Sequence, residues 1–491
     1  MRLGLQDMQK FYDNIEINEI ANEVIKYMPT MKAYFASNES LSEYSKRINS
    51  YMPNPVHLER QSFFRQKLLE KVNRIFNEKE KENIDLRINN DWGVVGGIVE
   101  HHGILDHPLL LSVSLVSNFY KLLERKEYGD ALVFATGNIP LNEPFRRRGF
   151  MLNGKKFNLY PKSYKNKVVY GLGKYDFDLK RKIVEAHEWH LLTKEEQGFL
   201  ENINGIIKGI DFSTCDTIGD QFTKINYYLW PLLFEEKLRG NSANLISVEY
   251  DDIIIDYMIH VLTTDKESHV YKMLFDKDFR NLILKEFEGK QGAWDQDSES
   301  GTHFFWALDE DNERVRLELK NDTLVGKGIQ IKLNPDDIIA NLKEKKILPG
   351  MLLKFSLTVF YMGMKPLMGY SLEYMSRLKE KMIGILEKYF PEEAERSRNI
   401  PYDNMNLISI CKGKGSEGKP KDLHAFDVFF KGGFAKSYLE KLDKFQFKDF
   451  MIPSLLFAYN YSVNKFGKQE EKKTFNISEE ELQKPFYRLF D

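Results

Sequence analysis

Three histidines and an aspartate fall within one short stretch, His101-His102-Gly103-Ile104-Leu105-Asp106-His107. Histidine titrates near neutrality, so His101, His102 or His107 can serve as a general base or donate to an anionic oxygen. Gly103 lets backbone approach a ligand closely, and Asp106 adds a hydrogen-bonding carboxylate. The amides that open the helix after Pro108 can hold phosphate or carboxylate. The plainer reading is that His101 and His107 cap strand and helix ends. The spacing fits no established metal-ligand pattern, so no metal is expected here.

A second group follows at residues 137–148. Asn138 and Asn142 can supply amide hydrogen bonds, and Arg147 and Arg148, in the run Arg146-Arg147-Arg148, can meet an anionic substrate bidentately. Two further motifs are weaker. His187-Glu188-Trp189-His190 on a helix would put both histidines on one face, without the H-E-x-x-H spacing of a zinc protease. Gly413-Lys-Gly-Ser-Glu-Gly418-Lys419 has P-loop spacing, but Pro420 stands where Ser or Thr must hold magnesium, so a basic loop explains it better. Trp294, Phe304, Phe305 and Trp306 read as packing residues of a ribbon.

These residues need a frame. The apolar run at 92–99 suits a buried strand, the polar cluster follows it, and Pro108 opens an apolar helix to about Lys126. Residues 131–136 form a second apolar strand. Strand, loop, helix, strand is a βαβ unit, and open parallel sheets bind ligands at the loops after their strands. Helices dominate residues 177–238, and 245–249 is a further strand. An antiparallel ribbon follows, with strands at 302–308, 314–319 and 323–333 and turns at 309–312 and 321–322. Asn334 caps a helix from Pro335 to about Lys346. Residues 352–361 are apolar, 371–389 helical and 407–411 strand-like.

The chain has 491 residues, more than one core usually serves, with 42% hydrophobic and 29% charged residues, an ordinary globular balance. With 71 Lys+Arg against 73 Asp+Glu, the formal charge of -2 draws the protein to neither nucleic acid nor an anionic membrane. Cys215 and Cys411 belong to no C-x-x-C pair, which argues against a disulfide scaffold and suits a reducing compartment. The first residues lack a secretory h-region, and the longest apolar stretches are about half a membrane span. A cytoplasmic location is expected.

Several segments, in the same order, resemble bacillithiol synthase, the cysteine-adding enzyme. Its signature after the first strand is Gln, one residue, Gly-Leu, two residues, Gly-Pro-Leu; here the positions read His101, His102, Gly103-Ile104, Leu105-Asp106, His107-Pro108-Leu109. Residues 228–234 and the strand at 245–249, the ribbon at 301–333, residues 348–353, Met362-Gly363 and residues 374–379 follow the family's order too. The resemblance spans residues 92–379. It implies a Rossmann-like parallel-sheet core with inserted segments and a C-terminal helical extension used for dimerisation. With the antiparallel ribbon and a helical region at 1–90, read from the helical spacing of Ile17, Ile20, Val24, Ile25 and Met28, the expected fold is α/β with inserted helical segments and N- and C-terminal helical extensions that permit a homodimer. The corresponding divisions are 1–90, 91–380 and 381–491.

The departures bear on substrate. The family has Gln at the place of His101, Gly at the place of His107, and an acidic, His-containing loop where this chain has Gly137-Asn138-Ile139-Pro140. The frame is kept while the substrate-facing residues change, which implies a divergent relative with another substrate. The expected activity joins an amino acid or related carboxylate to an amine-bearing small molecule or peptide, with His101 or His102 as base. No complete nucleotide motif is present, so use of ATP or ADP stays open. Two other classes compete: a non-catalytic nucleotide-binding or assembly protein on the same fold, and a metal-dependent hydrolase, which requires three of the named histidines and acids to converge.

Overall fold

A computed structural model describes residues 13–87, 100–142, 148–404, 408–414 and 420–487. The chain enters through helix α1, Ile15–Tyr27, whose cap Asn14 accepts from the Glu16 and Ile17 amides at 2.9 and 3.2 Å. Ile17, Ile20 and Val24 form its buried stripe. Helix α2, Pro55–Ile75, starts with Pro at its first turn behind the cap Asn54 and buries Phe64, Leu68, Val72 and Ile75. Lys71 lies on that same buried face.

The expected strand at 92–99 lies outside the described residues; β1 (Glu100–His101) is a short parallel partner of β2. Helix α3, Pro108–Ser117, is buried on nearly every side. It stops well short of Lys126. Ser117 Oγ donates to Val113 O and Asn118 Nδ2 to Ser114 O, so side chains compete for the helix carbonyls. The chain turns at Asn118 and resumes in the short helices Phe119–Leu123 and Arg125–Tyr128.

Strand β2, Ala131–Thr136, is followed by a hairpin, β3 (Gly149–Leu152) and β4 (Lys155–Asn158), closed by Asn153 and Gly154 at φ 49° and 76°. Helix α4, Ile218–Leu229, carries a Thr217–Asp220 capping box. Strand β5, Leu245–Glu249, is buried throughout and runs into helix α5, Asp251–Thr264, which packs on α2. The order β1-β2-β5 is parallel at both pairings, so three carboxyl ends share one edge.

The ribbon is more divided than its sequence suggests. Its strands are β6 (Phe305–Leu308), β7 (Arg314–Arg316), β8 (Glu318–Lys320), β9 (Thr323–Gly326) and β10 (Ile329–Lys332). The single strand expected at 323–333 folds back on itself, with Lys327 and Gly328 both at positive φ. The expected strand at 314–319 divides at Leu317 and serves two sheets. Helix α6, Pro335–Lys343, has the expected Asn334 cap on the Asp337 amide at 2.9 Å, and β11, Ile347–Pro349, pairs with β6. Helix α7, Leu372–Tyr389, and helix α8, Leu455–Phe466, follow, with α8 packed on α1. Buried apolar residues from 1–90, 91–380 and 381–491 belong to one continuous core.

Among the described residues, no helix is long and apolar enough to cross a membrane.

Candidate functional site at the carboxyl edge of the parallel sheet

The central strand sets the geometry. Along β2, Glu100 pairs with Ala135 and His101 with Thr136 on one side; on the other, Ala135 pairs with Glu249. The residues that leave the sheet together are therefore His101-His102, Thr136-Gly137-Asn138 and Glu249-Tyr250-Asp251.

Asp251 organises this edge. Its carboxylate is fully buried, and Oδ2 accepts from Thr136 Oγ1 at 2.8 Å, Gly137 N at 2.6 Å and Asn138 N at 3.1 Å. Oδ1 pairs with the Lys354 ammonium, which also donates to Thr136 Oγ1 at 3.2 Å. Burial alone would raise the Asp251 carboxyl; Lys354 and the donors of the loop outweigh it and hold the group below its usual range. Burial works to lower Lys354, and Asp251 more than restores it. One carboxylate thus fixes the loop after β2.

A second ionic group backs the first. Lys71 donates to Glu249 O at 2.5 Å, to Glu249 Oε2 at 3.1 Å and to both Asp252 oxygens at 2.7 and 2.8 Å. Glu249 Oε1 accepts from Asp251 N at 2.7 Å, which joins the two groups. Burial pushes the Glu249 carboxyl upward against the pull of Lys71. Gly137 lies in the same layer: a Cβ there would come within 3.0 Å of the Glu249 side chain and of Tyr170 N.

The histidine cluster separates in space. His101 is half-buried at the strand edge. His102 is buried, donating from Nε2 to Gly219 O at 2.8 Å with its ring edge-on to Phe222, so it fastens α4 to the sheet. Gly103 O accepts from Asn226 Nδ2 at 2.8 Å, while Asn226 Oδ1 accepts from Leu105 N at 2.9 Å. Asp106 Oδ2 accepts from Met151 N and from His424 Nδ1, each at 2.9 Å. Burial acts to lower His424, but Asp106 raises it beyond its ordinary value. His107 accepts from Leu109 N at 3.1 Å and caps α3, and its ring meets His424 edge-on. Asp106 and His107 thus join the C-terminal segment, whereas His101 stays with the strand ends.

Arg147 lies outside the described residues. Arg148 sits at φ 63°, accepts on its carbonyl from Leu159 N and donates from Nη1 to Tyr160 O at 2.9 Å. His187 and His190 do not share a helix face: the helix ends at Glu185, His187 turns at φ 56°, and Trp189–Leu191 is a separate 3-10 turn. The P-loop-like run is flanked by Lys412–Lys414 and Pro420–Asp422, paired antiparallel, which is a hairpin rather than strand, loop and helix; its tip lies outside the described residues. The expected strand there is a 3-10 turn at Ile408–Cys411. Among the described residues no group of three His, Cys, Asp or Glu side chains is placed to hold a metal ion.

The sequence reading passed over Lys71, Glu249, Asp251, Lys354 and Arg314. Arg314, on β7, donates from Nη1 to Asn138 O at 3.0 Å and lies over the Trp306 ring at 4.7 Å. The ribbon is tied to the loop through residues 167–170: Asn312 Nδ2 donates to Val168 O and Tyr170 O, and Tyr170 N donates to Gly137 O.

A cavity of 590 Å³ lies elsewhere, between α7 and residues 30–34, lined among others by Lys379, Glu387, Arg398 and Tyr402. Its Arg398 pairs with Glu387, and its Lys379 amine is taken up by the carbonyls of Arg398 and Ile400.

Fold and site together define a mixed helix-and-strand protein with a short parallel sheet whose carboxyl edge is braced by buried ion pairs. Compared with known protein families and with curated proteins, the chain finds no match.

Proposed function

We propose that this chain is a bacillithiol-synthase-like enzyme on a Rossmann-like core, joining an amino acid or related carboxylate to an amine-bearing small molecule or peptide. The observation that supports this reading best is the loop after β2, held by three hydrogen bonds to one buried carboxylate that Lys354 neutralises, at the edge where three parallel strands end. Parallel sheets receive ligands at that edge, and a loop fixed in advance spends little binding energy on ordering. In this assignment His101 is the general base and the Gly137-Asn138 loop orients the acyl substrate. Residues 381–491 would complete a homodimer in the cytoplasm, as in the family it resembles.

The test incubates purified protein with pools of amino acids, hydroxy acids and aminosugars, with and without ATP or ADP, and searches by mass spectrometry for products formed with loss of water. A condensed product that falls by about 100-fold or more in His101→Ala is the expected result, the scale of a lost general base. Condensation undiminished in His101→Ala would remove that residue from catalysis. Nucleotide binding without any product would assign the chain to the non-catalytic class.

A further inference from the structure

A guanidinium withdrawn from water is costly unless a negative charge meets it. Arg314 is half-buried, and among the described residues it has no acidic partner; burial lowers its pKa with nothing to offset the effect. Among the described residues its hydrogen bond is to the carbonyl of Asn138, and one of its faces is covered by the Trp306 ring. With Nη1 engaged, Nε and Nη2 meet no acceptor among the described residues and form a parallel pair, the geometry that matches two oxygens of a carboxylate or phosphate.

Asn138 supplies an independent observation. It is only 7% exposed, its amide is held by Asp251 and its carbonyl by Arg314, yet Oδ1 has no hydrogen-bond partner among the described residues. A buried acceptor is costly to leave alone, so this oxygen calls for a donor. The backbone of Asn138 connects the two unmet requirements: one asks for an oxyanion, the other for a hydroxyl or ammonium hydrogen.

We infer that Arg314 and Asn138 form an oxyanion subsite, the Nε/Nη2 edge gripping a carboxylate or phosphate while the Asn138 carboxamide oxygen accepts from a donor on the adjacent ligand atom. The inference rests on the strand edge being the substrate site, and it places the anion-binding role on the ribbon rather than on the arginines at 146–148. The ribbon can carry this role because Asn312 fastens its turn to Val168 and Tyr170, which fixes where β7 begins. Arg314 is a specificity-determining residue in this assignment, since a neutral ligand would leave its charge unpaired.

Isothermal titration of the full-length protein with lactate, glycerol 3-phosphate and inorganic phosphate tests the subsite. Lactate and glycerol 3-phosphate carry an oxyanion with a nearby hydroxyl, one as carboxylate and one as phosphate; inorganic phosphate lacks the carbon-borne donor. At least one of the first two should bind, about 10-fold or more weaker in Arg314→Gln and only partly recovered in Arg314→Lys, which keeps charge without the fork. Asn138→Leu should weaken lactate or glycerol 3-phosphate more than inorganic phosphate. Arg314→Gln gives up the bond to Asn138 O and the contact with the Trp306 ring, so melting is read beside binding: weaker binding of the probes with a native-like melting transition is expected, whereas a purely structural arginine would lower melting and binding together. Equal binding to wild type and Arg314→Gln, or no binding of any probe to the wild type at millimolar concentration, overturns the subsite. Arg314-dependent binding without any condensed product would keep the subsite and discard the condensing activity.

Discussion

Acidification should unfold this protein through two buried imidazoles. His57 and His269 are both fully buried; His57 Nδ1 accepts from Asn54 Nδ2 at 2.9 Å, and His269 Nε2 donates to Ser356 O at 3.3 Å. Burial lowers each to about 4, only partly countered by Glu393. The ordinary imidazole value is about 6.5, so the unfolded chain takes up these protons first. Their stabilising contribution is complete above pH 6.5 and is lost as pH falls toward 4. Between pH 7 and pH 5, proton linkage gives about 2 kcal/mol per ring, hence about 4 kcal/mol for the pair, a large fraction of a typical folding free energy. Urea titrations at pH 7, 6 and 5 on wild type, His57→Gln, His269→Gln and the double variant measure this directly. Each single substitution should remove roughly half of the slope attributed to the pair, whatever its effect at pH 7. If wild type and double variant lose stability in parallel from pH 7 to pH 5, the imidazoles are not the source and the reasoning fails.

Lys354→Met leaves the fully buried Asp251 carboxylate without its cation, and urea titration at pH 7 should show a loss of about 3–5 kcal/mol; a change below about 1 kcal/mol would mean that Lys354 does not hold the edge together. Gly205, inside the helix Lys194–Lys208, faces open space where a Cβ meets no atom within 4 Å. Gly205→Ala should therefore stabilise by about 0.5–1 kcal/mol, read as a higher melting temperature; a lower one would contradict the open site.

What could be read from the sequence follows from how local each signal is. Residues 131–136 are an unbroken apolar run and Asn334-Pro335 is a local cap, so both elements form where their own residues dictate. The break at Asn118 needed attention to hydroxyl and amide side chains that bond back to the helix, rather than to the apolar pattern around them. The turn at Lys327-Gly328 was marked by its glycine inside an otherwise strand-like run. The site was harder because its partners are distant in sequence. Lys354 interrupts an apolar stretch, and a lone lysine there signals a buried partner, but nothing local names Asp251, 103 residues away. Lys71 likewise sits on the buried stripe of α2 as though it were apolar. Histidine density drew attention to residues 101–107, whereas folding turns His102 into α4 and Asp106 toward His424.

The two ends of the described chain close on one another. Tyr27 donates to Glu471, 444 residues further on, and the Asn476 amide reaches back to Glu16. During synthesis at about 5–20 residues per second, the apolar stripe of α1 waits on the order of 20–90 s before the segment that covers it leaves the ribosome. For that interval Ile17, Ile20 and Val24 belong to a nascent chain without their final neighbours. Shielding of exposed apolar helices during translation should therefore aid folding, and a chain shortened before α8 is expected to keep that stripe exposed.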